Sequence, residues 1–140
     1  MSKTVKRGSL GLLFALLALV GAFAISSSTA ASRPEPREIV LVAEDMSFRL
    51  LGGSGEAAPS AVPNPTLSLE RGETVRLVLV NRDPGMEHDW ASRGLDAATR
   101  VVPGDGSVAS VLLTAPEEPG RHDYVCSLHA RMMRGVIEVR

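Results

Sequence analysis

The sequence predicts an all-β fold of antiparallel strands, a sandwich or a barrel, on three observations. Leu67 and Leu69 bracket Ser68, and Val75, Leu77 and Leu79 alternate with Arg76, Val78 and Val80. That period of two turns one face of a strand toward a core. Several further short runs of this kind are separated by turn signals at close spacing, as in sandwiches and barrels. Outside the N-terminal segment no window carries the 3.6-residue apolar period of an amphipathic helix.

The first segment in chain order is not part of that fold. "MSKTVKRG" carries Lys3, Lys6 and Arg7, an apolar run follows from Leu10 to Ile25, and "SSSTAAS" comes next. A charged start, an apolar stretch and small residues read as a secretory signal peptide over 1–31, cut after Ala30 or Ala31. The run falls short of the ~20 residues a spanning helix needs. No stable membrane span is therefore expected once the signal is cut; an uncut run would tether the protein. No cysteine stands just after the run to carry a lipid anchor, and Lys6-Arg7 is not a twin arginine. The chain is expected to be exported, to the periplasm or another extracytoplasmic space.

Residues 32–37, "SRPEPR", read as a flexible lead-in, and 38–140 as one domain. "EIVLVAEDMSFRL" (38–50) reads as a strand with a bend at Glu44-Asp45. "LGGSGEAAPSAVPNP" (51–65) is a loop or surface excursion, because Gly and Pro cannot fill an element interior at that density. "TLSLERGETVRLVLVN" gives two strands joined at 70–73. Asp83-Pro84-Gly85 centres a turn, and 92–100 holds at most a short turn of helix. "TRVVPGDGSVASVLLTAP" offers a strand, a Gly-rich turn at 104–106 and another strand. "GRHDYVC" and "RGVIEVR" are the last two strands.

Removal of the signal leaves twelve arginines, no lysine and all sixteen acids, a net charge near −4. That balance argues against a nucleic-acid partner. The one cysteine, Cys126, cannot form a disulfide within the chain, although the expected compartment favours disulfides.

Cys126 heads the chemistry. His129 follows three residues later, then Met132 and Met133, with Gly135 opening the last strand. A tight loop between two strands can hold a thiolate, an imidazole and a thioether on one side, a donor set that suits copper. Two histidines, one cysteine and a long axial methionine make a mononuclear electron-transfer site. The second histidine is His88 or His122. On an extended segment His122 would lie roughly 13 Å from Cys126, too far to share an ion, and it is expected as a solvent-facing loop residue. His88 lies in a loop that can reach the same end of the fold. Zinc could take the cysteine and histidines, but a thioether suits it poorly. A Cys–His nucleophile would need an oxyanion pocket of which nothing else gives a sign.

These residues carry a resemblance to the cupredoxins, the small blue-copper family. "LSLERGETVRLVLVN" is similar to the strand–Gly–strand lead-in to the first histidine, and "GMEHDW" occupies the first-ligand position. "GRHDYVCSLH" matches an aromatic–x–Cys–x–x–His run, and "MRGVIEV" a Met–x–Gly–strand ending. The resemblance implies an antiparallel Greek-key β-sandwich with one type 1 copper ion at one end. It implies His88, Cys126 and His129 as equatorial ligands. Met133 is favoured over Met132 as the axial ligand because it fits the Met–x–Gly ending. Asp89 stands where the family often has the asparagine that ties the two ligand loops together. One cysteine excludes a dinuclear copper-A centre, and three histidines are too few for further copper centres.

The implied function is a monomeric one-electron carrier between redox partner proteins, not an enzyme. The alternative is a copper storage or delivery module for an oxidase. Gly85, Met86, Leu128, Ala130 and Met132 are the expected apolar patch around the edge of His129. Arg82, Arg93, Arg131 and Arg134 are either ordinary surface or a positive collar that steers an acidic redox partner.

Overall fold

The computed structural model describes residues 35–51 and 60–140. The expected signal peptide, 1–31, and most of the 51–65 loop lie outside the described residues. Among the described residues eleven strands follow one another: β1 (Arg37–Glu44), β2 (Ser47–Leu50), β3 (Leu67–Leu69), β4 (Thr74–Asn81), β5 (Glu87–His88), β6 (Ala91–Ser92), β7 (Ala97–Ala98), β8 (Val102–Pro103), β9 (Val108–Thr114), β10 (Gly120–Val125) and β11 (Arg134–Val139). One 3-10 turn, Arg93–Leu95, separates β6 from β7. Among the described residues no helix is long and apolar enough to cross a membrane.

The strands form a four-stranded sheet in the order β2-β1-β4-β9 and a five-stranded sheet in the order β3-β11-β10-β6-β7. A small β5-β8 ribbon completes the fold. Alternation decides which side chains fill the core of this β-sandwich. Val75, Leu77 and Leu79 of β4 are fully buried, as are Leu41 of β1 and Ile137 of β11. Full burial of one such side chain is worth about 1.5–3 kcal/mol.

Three local expectations change. The 38–50 run is a hairpin rather than one bent strand. Asp45 and Met46 both adopt positive φ, 49° and 55°, the two left-handed residues of a type I′ turn. The Met46 N–H is tied to Asp83, which holds that turn without the usual Asn-Gly. The pairing is mixed rather than wholly antiparallel: β1 runs parallel to β4, and β3 parallel to β11. The chain crosses between sheets at 70–73, with β3 in one and β4 in the other, so no hairpin forces these neighbours to alternate in direction. His122 lies on β10, half-buried, rather than in a solvent-facing loop.

β4 ends at Asn81, β10 ends at Val125 and β11 starts at Arg134. The segments 82–90 and 126–133 therefore emerge side by side at one end of the sandwich, where Asp89 bonds Ser127.

Candidate metal centre

The first of these segments is positioned by buried polar groups. Asn81 has no solvent exposure. Its Nδ2 donates to the carbonyls of Met86 at 2.9 Å and Val102 at 2.8 Å, and its Oδ1 accepts the Asp83 N–H at 3.0 Å. One side chain thus fixes the loop after β4 and the ribbon that carries His88, which pairs with Val102. Gly104 packs so tightly against this loop that a Cβ there would sit 1.8 Å from the Asp83 carbonyl oxygen.

Asp83 then orients the histidine. Its Oδ2 accepts the Met46 N–H at 2.9 Å and lies 3.0 Å from His88 Nε2. Burial would raise this carboxyl, but the Met46 N–H and the His88 ring outweigh it and hold the group below the usual carboxylate range. An ionised acceptor at Nε2 assigns the proton to that nitrogen and leaves the Nδ1 lone pair free.

The second segment is closed by its own backbone. The Cys126 N–H donates to the Met133 carbonyl at 3.0 Å, and the His129 N–H to the Cys126 carbonyl at 3.1 Å. The N–H groups of Met132 and Met133 both reach the His129 carbonyl, at 2.9 and 3.0 Å. Beneath it, Trp90 stacks on Tyr124 at 5.9 Å, and Tyr124 lies directly across from Gly135. A Cβ at Gly135 would meet Tyr124 Cζ at 2.2 Å, so the second residue of β11 must be glycine for the ring to cross it.

Asp89 joins the two segments. Its Oδ1 accepts the Ser127 N–H at 2.6 Å and its Oδ2 accepts the Ser127 hydroxyl. The aspartate makes the same kind of loop-to-loop tie that the resemblance assigns to asparagine. A third tie comes from Asn64, whose Oδ1 accepts the Phe48 N–H at 3.0 Å while its Nδ2 donates to the Met132 carbonyl at 2.9 Å.

The result is a convergence of three donors. Cys126 Sγ lies 3.6 Å from His88 Nδ1 and 3.6 Å from His129 Nδ1, and the two Nδ1 atoms are 3.2 Å apart. A point equidistant from all three lies about 2 Å from each, the length of a metal–nitrogen bond. His88 and Cys126 are buried, His129 half-buried. Burial pushes the Cys126 thiol up, although the N–H groups of Asp89, Leu128 and His129 pull the other way. A cation among the donors would favour the thiolate and displace that proton.

Met133 is fully buried within the core cluster that includes Cys126, whereas Met132 is 56% exposed. The two methionines the sequence left side by side therefore point to different environments. Leu128 is 51% exposed, and His122 takes no part in the cluster. Asn64, Asn81 and Asp83 are the residues that sequence reasoning missed. The faint signals were an asparagine between two prolines, an asparagine ending a strand, and an aspartate ahead of a Pro-Gly turn.

Comparison with known proteins points the same way. The sequence matches the family model of the cupredoxin-like domain over residues 15–139. No curated protein sequence matches the chain. Auracyanin B is similar in structure, at 19% identity and a TM-score of 0.55, covering 81% of this chain and 95% of its own. Auracyanin A, a "blue" copper protein from Chloroflexus aurantiacus, is 18% identical with a TM-score of 0.54, covering 75% of this chain and 99% of its own. The periplasmic domain of cytochrome oxidase subunit II from Bradyrhizobium japonicum is 11% identical with a TM-score of 0.57, covering 77% of this chain and 86% of its own. At these identities the likeness is one of fold. With the family model matched over most of its length, the chain belongs to the cupredoxin-like domain family.

Proposed function

We propose that this protein is an exported one-electron carrier built around a single type 1 copper ion. His88, Cys126 and His129 are its equatorial ligands and Met133 its axial ligand. The observation that carries the reading is the convergence of one sulfur and two Nδ1 atoms at 3.2–3.6 Å. A single thiolate, two imidazoles and a thioether are the donor set of electron-transfer copper. Copper held there would exchange one electron as it passes between Cu(I) and Cu(II).

The chain's own residues do the rest. Asp83 keeps the His88 ring in one orientation, and Asp89 keeps the two ligand loops together. Trp90, Tyr124 and Met133 exclude water from the inner side. Ligands held this firmly would move little between oxidation states, which favours rapid transfer. Half-buried His129, beside exposed Leu128 and Met132, is the group through which an electron would reach a redox partner. The reading includes removal of residues 1–31 on export, a lead-in over 32–37 and a monomeric domain over 38–140, with no bond made or broken in a substrate.

The test is optical and electron paramagnetic resonance spectroscopy of protein given Cu(II). The expected result is an intense thiolate-to-metal absorption toward the red, a narrow copper hyperfine pattern, and copper retained through repeated redox cycles. Met133→Ala should change the spectrum and Met132→Ala should leave it alone. Colourless protein would overturn the copper assignment. Copper lost to a chelator on each reduction would favour a delivery module over a carrier.

A further inference from the structure

A groove of about 390 Å3 runs beside the candidate centre, on the outer face of the five-stranded sheet. Its floor is Val125, Ser127 and Ala130, and its walls carry Arg93, Asp123 and Arg134. Val125 and Ser127 are the chain neighbours of Cys126, and Ala130 follows His129, so the groove adjoins the ligand loop. The loop itself adds Arg131, which is exposed.

The walls are placed by packing. The 3-10 turn carrying Arg93 presses so closely on β10 that a Cβ at Gly94 would lie 2.7 Å from His122 Nδ1. Half-buried His122 is a wedge that sets where Arg93 stands, which accounts for a histidine the metal cluster does not use. Arg134 lies 3.6 Å from Asp123, with both side chains more than half exposed. An exposed pair at that distance is worth less than about 1 kcal/mol, so its guanidinium remains available to a better acceptor.

This cationic strip belongs to a mature chain with more acids than arginines. Of the exposed acids, Asp96 ends the 3-10 turn itself, whereas Asp45, Glu87 and Asp105 lie on the β1–β2 turn, the β5–β8 ribbon and the β8–β9 turn. Asp123 is the one acid lining the groove among the described residues.

We infer that the groove is the docking site for an acidic segment of the redox partner's surface, gripped by Arg93 and Arg134 beside the ligand loop. Guanidinium forks match carboxylates in shape as well as charge, and a small apolar floor suits a contact that must form and break quickly. The partner then lies over the face of the five-stranded sheet beside the ligand loop, away from Asp45, Glu87 and Asp105. This inference rests on the proposed carrier function.

The test uses the Cu(I)-loaded, 15N-labelled protein at low ionic strength, titrated with a hexaglutamate peptide and, separately, with inorganic phosphate. The peptide should shift the amides of Ala91, Gly94, Val125 and Ser127. The double variant Arg93→Glu/Arg134→Glu should weaken it at least tenfold, and Asp123→Asn should tighten it several-fold. The blue absorption of the oxidised variants should be unchanged. Peptide shifts centred on 82–87, a dissociation constant unmoved by charge reversal, or phosphate binding as tightly as the peptide would each overturn the docking site. The carrier reading fails separately, through the absence of that absorption, and the titration can then be repeated on copper-free protein.

Discussion

His88 stands on a segment held from a distance, whereas Cys126, His129 and Met133 stand on a loop that largely holds itself. The 82–90 segment takes its shape from Asn81, from the Met46 N–H on the β1–β2 turn, and from Gly104 on the far side of β8. These partners are up to 37 residues away in sequence. The 126–133 loop is closed by four backbone hydrogen bonds among its own residues, with Asn64 and Asp89 as outside braces. Local closure needs only a short sequence with the right spacing. Closure at a distance needs the whole sandwich to be in place first, because an unfolded chain does not bring Met46 to Asp83.

The sharpest way to break this comparison is to remove one brace from each segment. Asn81→Ala removes three hydrogen bonds at a buried side chain and should cost about 3 kcal/mol or more, since each stranded group costs about 1–3 kcal/mol. Asn64→Ala removes two bonds at a half-exposed site and should cost about 1 kcal/mol. Urea unfolding of the two variants measures both. Equal losses would mean that the C-terminal loop depends on its outside brace as much as the first segment does.

That asymmetry explains what the sequence disclosed. The 126–135 spacing of cysteine, histidine, methionine and glycine is local: Cys126 and His129 lie within 3.6 Å, Met133 is buried in the core cluster that includes Cys126, and Gly135 lies across from Tyr124. His88 came by a weaker route, as the histidine whose loop could reach the same end. Asn81, Asp83 and Asn64 left only faint signals, because most of their partners lie 5–68 residues away. Alternation marked the buried faces of β3 and β4 but not their parallel pairing with β11 and β1, since a side chain's face is set by its own strand and its neighbour is not. The bend was expected at Glu44-Asp45 because neither Asp45 nor Met46 signals positive φ at both turn positions; Asp83 supplies the bond that favours the turn. His122 was expected at the surface because a lone histidine near a turn gives no sign of the glycine it packs against.

A finer test compares the two carboxylates that serve the donors. Asp83→Asn removes the charge that fixes His88, and loss of such an outer partner typically lowers metal affinity 10–100-fold. Asp89→Asn preserves a workable geometry, because its amide oxygen can still accept the Ser127 N–H while its amide nitrogen donates to the Ser127 hydroxyl. Copper affinity should therefore fall at least tenfold in the first variant and less than threefold in the second, by competition with a chelator of known strength. Similar losses would mean that the bridge between the segments matters as much as the orientation of one ring.

The smallest effect is expected at the opposite end of the sandwich, where neither of these segments reaches. There Glu73 accepts from Arg37 at 2.8 Å and from the Glu70 N–H at 2.9 Å, and the Ala115 N–H donates to its carbonyl. The Arg37 hydrogen bond, with help from that N–H and against some burial, holds the Glu73 carboxyl below its ordinary 4.5. A carboxyl lowered on folding stabilises the folded state above its unfolded value, and that contribution is lost as pH falls through the folded one. Glu73→Gln should therefore cost less than about 1 kcal/mol at neutral pH, as exposed pairs do, and the gap to the parent protein should close as pH drops below 4.5. Because this pair is remote from both donor segments, the variant's visible spectrum should match the parent's. A changed spectrum would mean that the far turn is coupled through β4 to His88, and that the first segment is held over the full length of the strand rather than at its end.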